Sequence, residues 1–199
     1  ADLHPIGKVK DFAPYIANVR AAGADAIVTG NWGNDLALLI RAAKNAGLGA
    51  RIYAPLAGLT GAPSAMRQSG VDKVRAALFW HENIAPNPLI EYALAFRAKY
   101  GEDWNWLPNY LVAEMLAKAM TQAASIDPLA VGPALENMRH TGPTGEVWMR
   151  PEDHQLMMPI YQTVFKRVGE GDVKYDSEGT GFGWKTEGKL DALQARFEP

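Results

Sequence analysis

The sequence has no cysteine, which excludes disulfides and thiolate metal sites but leaves the compartment open, since cytosolic and periplasmic chains can both lack the residue. It has no apolar run approaching the roughly 20 residues that span a bilayer. Its opening, Ala1-Asp2-Leu3-His4-Pro5, has neither the basic start nor the apolar centre of a secretory signal, and reads as a mature or trimmed terminus. Surplus basic charge is missing too. There are 20 Lys and Arg against 22 Asp and Glu, a net charge of −2 and a pI near 6.1, with the cations scattered along the chain. No nucleic-acid footprint is expected from such a distribution.

Enzyme signatures are equally scarce. There is no G-x-S-x-G elbow and no Walker loop, and Gly179-Thr180-Gly181-Phe182-Gly183 has neither the spacing nor the preceding strand of a dinucleotide site. His4, His81, His140 and His154 show no metal-ligand spacing, and Glu152-Asp153-His154 sits in a bend beside Arg150 and Pro151 without a nucleophile to complete it. The expectation is a protein with no catalytic residues, no metal and no cofactor.

What is present is an ordinary globular composition, 48% hydrophobic and 21% charged, over a length that can bury a sizeable core. Residues 11–55 organise it. Asp11 can cap a helix whose apolar positions Phe12, Tyr15, Ile16 and Val19 recur at helical spacing, with Gly23 as its stop. Residues 24–29 are a nearly continuous apolar run, expected to be a central strand buried on both faces. Asn34 or Asp35 then caps a helix carrying Leu36, Leu39, Ile40 and Ala43 on one face and closed by Gly47, and a second strand follows at 51–54.

This helix-strand-helix-strand order with short connections predicts an α/β fold with a Rossmann-like parallel sheet. In such sheets ligands bind outside the carboxyl ends of the strands. The turn Gly30-Asn31-Trp32-Gly33-Asn34 lies there, which makes Trp32, with Asn31 and Gly33, the leading ligand contact. The plainer alternatives are that Trp32 covers a helix end, that Asn34 is only a cap, and that Tyr53 is a core residue of its strand.

A further strand is expected at 74–80, after a short helix near 64–69. Residues 81–88 read as a connection out of this layer. Three helices follow at 88–100, 108–124 and 128–138, with Leu111, Met115 and Ala119 forming an apolar stripe on the second and Asp127-Pro128 starting the third. Strands return at 146–149 and 159–168, and the polar, glycine-rich remainder carries only a weak helix signal at 189–197. The central helices thus have no sheet of their own to cover. Their stripe is expected to bury against a partner chain or against the opening layers.

The segments Asp11-Phe12-Ala13-Pro14-Tyr15-Ile16, residues 23–35, residues 92–100, and Gly145-Glu146-Val147-Trp148-Met149-Arg150 with Asp153-His154-Gln155 form an ordered series. It resembles the C-terminal portion of a type I periplasmic binding protein, in particular the branched-chain amino acid type of ABC-transporter substrate-binding protein, over nearly the whole chain. The resemblance implies two Rossmann-like lobes joined by three crossovers that close on a ligand and present it to a membrane permease, in the periplasm. On that scheme residues 1–81 are the first part of lobe 2, residues 82–158 are a helical segment of an incomplete lobe 1, and residues 159–199 return to lobe 2 and the tail. Half of the cleft would be missing, so the chain alone should bind ligand poorly and is open to self-association through exposed helices.

The resemblance also places Trp32 where the family sets an aromatic residue against the ligand, and Asn105 and Trp106 in a segment with another aromatic contact. Trp104 and Trp106 could equally be packing residues. Leu56 falls where the family uses a carboxylate to pair the ligand's ammonium. A buried ammonium without a counter-charge is strongly disfavoured. An aromatic or apolar acid, or an amide, therefore suits Trp32, Tyr53 and Leu56 better than a simple amino acid does. The alternative functions are a ligand-sensing domain of a receptor or regulator on the same fold, and, less favoured, a compact α/β enzyme.

Overall fold

A computed structural model describes residues 1–195 of the chain. Helices and strands alternate at first, as α1 (Ala13–Ala21), β1 (Ala26–Val28), α2 (Gly33–Asn45), β2 (Arg51–Tyr53), α3 (Ala62–Met66) and β3 (Val74–Leu78). Three helices follow, α4 (Ile90–Tyr100), α5 (Leu107–Ala123) and α6 (Pro128–Leu135). The chain then runs through β4 (Arg139–Gly142), β5 (Gly145–Met149), β6 (Leu156–Met157), β7 (Ile160–Arg167) and β8 (Phe182–Leu190).

Local chemistry accounts for several helix ends. Asp11 Oδ1 accepts from Ala13 N at 2.9 Å at the start of α1, Asp127 Oδ1 accepts from Leu129 N at 2.9 Å at the start of α6, and Gly23 and Gly47 take positive φ after α1 and α2. The start of α2 differs from expectation. Its N-cap is Trp32, which makes no side-chain capping bond, and neither Asn34 nor Asp35 serves. The Asp35 carboxylate instead accepts from Gly7 N at 2.7 Å and ties down the N-terminal segment. Gly33 opens the helix at φ +53°, a conformation that glycine adopts without steric cost.

The main sheet has the order β1-β2-β3-β7-β8, parallel through β3 and antiparallel beyond it. Because β1, β2 and β3 are neighbours in chain order, right-handed crossovers place α2 and α3 on the same face, where α1 also packs against α2. That face holds the first core cluster, built from Phe12, Ile16, Leu36, Ile40, Ile52, Val74, Phe165 and Trp184. The other face is open, with Arg51, Tyr53 and Ala77 exposed.

The expectation that β1 is buried on both faces is therefore corrected. β1 is the edge strand of a sheet covered on one side, and Val28 is 82% exposed. Thr29 N donates to Tyr53 O and Arg51 N donates to Asp25 O, so alternate residues Ala26 and Val28 turn their backbone groups away from β2. A groove of about 870 Å³ runs along this free edge, lined by Leu3, Phe12, Tyr15, Val19 and Val28 among others.

Two further expectations change. The region read as a polar tail with a weak helix contains β8, which pairs with β7 along its whole length and buries Phe182 and Trp184; the end of that helix signal, 196–197, lies outside the described residues. Gly181, Gly183 and Gly188 and the charges between them hid the alternation. The central helices also do have a sheet of their own, the antiparallel trio β4-β5-β6. Leu111 and Met115 of α5 meet Trp80, Trp104, Val147 and Met149 in a second core cluster. Leu111, Met115 and Ala119 are thus buried by the chain itself and need no partner.

Candidate functional site

The carboxyl ends of β1 and β2 carry Asn31, Trp32, Gly33, Tyr53 and Leu56 of the residues that sequence reasoning singled out. After β1, Asn31 N donates to Thr29 Oγ1 at 3.1 Å and Asn31 Oδ1 accepts from His4 Nε2 at 2.8 Å, which fixes the turn and commits the asparagine oxygen to the N-terminal segment. Trp32, next in the chain, is 54% exposed. After β2, Leu56 lies in the short 3₁₀ turn Pro55–Gly58 and is also exposed, as is Phe79 after β3. Tyr53 is the last residue of β2 and lies on the uncovered sheet face. Gly33 is the first helical residue of α2, as the turn requires.

Asn105 and Trp106 precede α5, and both are exposed, with Trp106 as the N-cap. Trp104, two residues earlier, points the other way. It is buried and meets Trp80 and Tyr92 edge-on at centroid distances of 5.2 and 5.4 Å. The two indoles of this segment therefore divide between packing and surface. α2 and α5 both open without a side-chain cap, which leaves first-turn N–H groups and the positive end of each helix dipole beside Trp32 and Trp106.

Three carboxylates near this end of the molecule are buried and already engaged or close to a cation. Asp35, Glu82 and Asp103 are all buried, the first bonded to Gly7 and the third to Arg97. Sequence reasoning missed the polar junction that the latter pair belongs to. Arg97 Nε donates to Asp103 Oδ1 at 2.6 Å, Nη1 to Asp176 Oδ1 at 2.9 Å and Nη2 to Asp176 O at 2.5 Å, while Glu82 Oε1 stands 3.9 Å from Nη2. Burial raises the Glu82 carboxyl to about 7; among the charged neighbours Asp103 and Asp176 add to that and Arg97 opposes it.

Beside it, His81 accepts from Asn83 N at Nδ1 (3.2 Å), which leaves Nε2–H to donate to Thr186 Oγ1 (2.9 Å). Burial lowers this imidazole to about 3 and keeps it neutral. Asn83 clamps the loop between β7 and β8, accepting from Lys174 N and Tyr175 N and donating to Tyr175 O, each at 2.8 Å. The only signal of this junction in the sequence was the run of polar residues at 81–83. Its partners lie as far away as Asp176 and Thr186, and no local pattern points to them.

Among the described residues, no group of His, Asp and Glu is set to hold a metal ion, and no helix is long and apolar enough to cross a membrane. A parallel-rich α/β sheet with exposed aromatic and apolar side chains beyond its strand ends is the framework of a ligand-binding lobe. A family model described as periplasmic binding protein matches residues 1–171, and the chain belongs to that family, as a type I member of the branched-chain amino acid type.

The relatives bear this out at two levels. Leu/Ile/Val-binding protein homolog 4 of Brucella abortus is 32% identical, over 92% of this chain and 44% of its own length. The closed-form crystal structure of the leucine-, isoleucine-, valine-, threonine-, and alanine-binding protein from Brucella ovis superposes with a TM-score of 0.87 at 23% identity, over 99% of this chain and 50% of that one. A solute binding protein of an ABC transporter from Rhodopseudomonas palustris, solved with 3,4-dihydroxy benzoic acid, has the same fold at a TM-score of 0.67 and 18% identity, over 92% and 49% of the two chains. The chain spans about half the length of the relatives it matches.

Proposed function

We propose that this chain supplies one wall of the solute-binding component of an ABC importer, which captures a small molecule between two lobes in the periplasm and delivers it to a membrane permease. The work is hinge closure around a guest, with no covalent chemistry. The observation that carries the reading is Trp32, an indole left half in water at the carboxyl end of β1, where a parallel sheet receives its ligand.

The guest is an aromatic or apolar acid, or an amide, rather than a free amino acid. Leu56 stands at the end of β2, the nearby carboxylates Asp35, Glu82 and Asp103 are buried, and nothing among them is free to balance an ammonium. The uncapped first turns of α2 and α5 suit an anion instead. Two kinds of relative frame the choice, one named for leucine, isoleucine and valine and one solved with a dihydroxybenzoic acid.

Calorimetry of the full-length protein with 3,4-dihydroxybenzoic acid, benzamide and leucine tests both levels. Heat is expected from the acid or amide and little from leucine, and Trp32→Ala should weaken binding by roughly tenfold to a hundredfold with little change in melting temperature. Tighter binding of leucine would overturn the ligand class. No heat from any of the three would overturn the transport reading.

A further inference from the structure

Four separate segments meet at Arg97. The guanidinium comes from α4, Glu82 from the connection between β3 and α4, Asp103 from the segment before α5, and Asp176 from the loop between β7 and β8. Asp103 and Asp176 take the short contacts at 2.6 and 2.9 Å and spend their second oxygens on the loop backbone, Asp103 Oδ2 accepting from Glu178 N at 2.7 Å and Asp176 Oδ2 from Gly181 N at 2.8 Å. Glu82 is left at 3.9 Å, beyond hydrogen-bond reach of the guanidinium, and only 6% exposed.

One cation therefore faces three carboxyl groups, two of which, Glu82 and Asp103, are buried while Arg97 and Asp176 reach water at the rim. An unpaired buried carboxylate is costly, and the ordinary relief is for one of the three to hold a proton. Glu82 is the one with no short contact to the charge. The other titratable neighbours do not supply a counter-charge. His81 is engaged with Thr186 and Asn83, and the Glu178 carboxylate faces α3, accepting from Gly61 N and Ser64 N.

We propose that Glu82 and Arg97 form a proton-held latch between the two core clusters: with Glu82 neutral, Arg97 grips Asp103 and Asp176 and pins the 176–181 part of the β7–β8 loop to α4, and with Glu82 ionised the guanidinium is drawn toward it and that part is loosened, while Asn83 keeps its hold on Lys174 and Tyr175. Both are positioning residues. They touch no guest, and the inference holds whatever solute the protein takes. Burial places the Glu82 carboxyl at about 7, so the switch works near neutrality.

Hydrogen exchange of the Glu178 and Gly181 amides, which donate to the two aspartates that Arg97 holds in place, reads the latch when followed by NMR on the wild type and on Glu82→Gln. Between about pH 6 and pH 8, wild-type protection corrected for intrinsic exchange should fall by roughly tenfold with a midpoint near neutrality, following the ionised fraction. Glu82→Gln, which keeps the neutral shape, should show no such step. Identical profiles in the two proteins would overturn the proposal. Should the variant not fold, carboxyl NMR of the wild type labelled at glutamate decides: one glutamate titrating between about pH 6 and 8 supports the latch, and all glutamates titrating below about pH 5.5 overturn it.

Discussion

His81 and Glu82 are neighbours in the chain, both buried, and burial moves their titrations in opposite directions. His81 titrates at about 3 in the fold against 6.5 when free, so its contribution to stability is present above pH 6.5 and is lost as pH falls toward 3. Glu82 titrates at about 7 against 4.5, so its contribution is present below pH 4.5 and is lost as pH rises toward 7. Between 4.5 and 6.5 the two slopes offset each other, and below that window His81 acts alone. Acid unfolding of the wild type should consequently be steeper than that of His81→Gln below about pH 4.5, by an accumulated difference on the order of a few kcal/mol. Parallel melting curves for the two proteins across acid pH would show that the imidazole is not the acid-sensitive group.

At the scale of elements, glycines decide how β8 is held. A Cβ on Gly183 would lie 2.3 Å from Tyr175 O, a backbone atom that cannot step aside, because β8 passes directly beneath the loop that Asn83 clamps. Gly183→Ala should cost about 2 kcal/mol or more, read as a lower denaturant midpoint. If Gly183→Ala proved neutral, the close passage of β8 under the loop would be wrong.

For the whole molecule, the open side of the sheet is the dominant fact. β1 offers unpaired backbone groups, Val28 stands in water, and apolar residues of α5 such as Val112 and Leu116 are also exposed on its outer side. Unprotected edges recruit other strands. Sedimentation at rising concentration should reveal association of the 199-residue chain that Val28→Lys suppresses if the edge is responsible, and that Leu116→Glu suppresses if the helices are. Concentration-independent monomers in the wild type would contradict both routes.

Periodicity and turn chemistry made α1, β1, α2 and β2 legible, because Phe12, Ile16, Leu36 and Ile40 repeat at helical spacing beside short apolar strands and glycine stops. The same local logic marked the turn that carries Trp32. It found β5 but failed at β8, where glycines and charges break the alternation, at β4 and β6, which are short, and in assigning two covered faces to β1. Local pattern reports which residues want burial, since that preference is carried by each side chain and its near neighbours. It cannot report what covers them. The one-sided sheet, the division of Trp104 from Trp106, and the meeting of Glu82, Arg97, Asp103 and Asp176 are set by segments distant in the chain, so only the tertiary structure decided them.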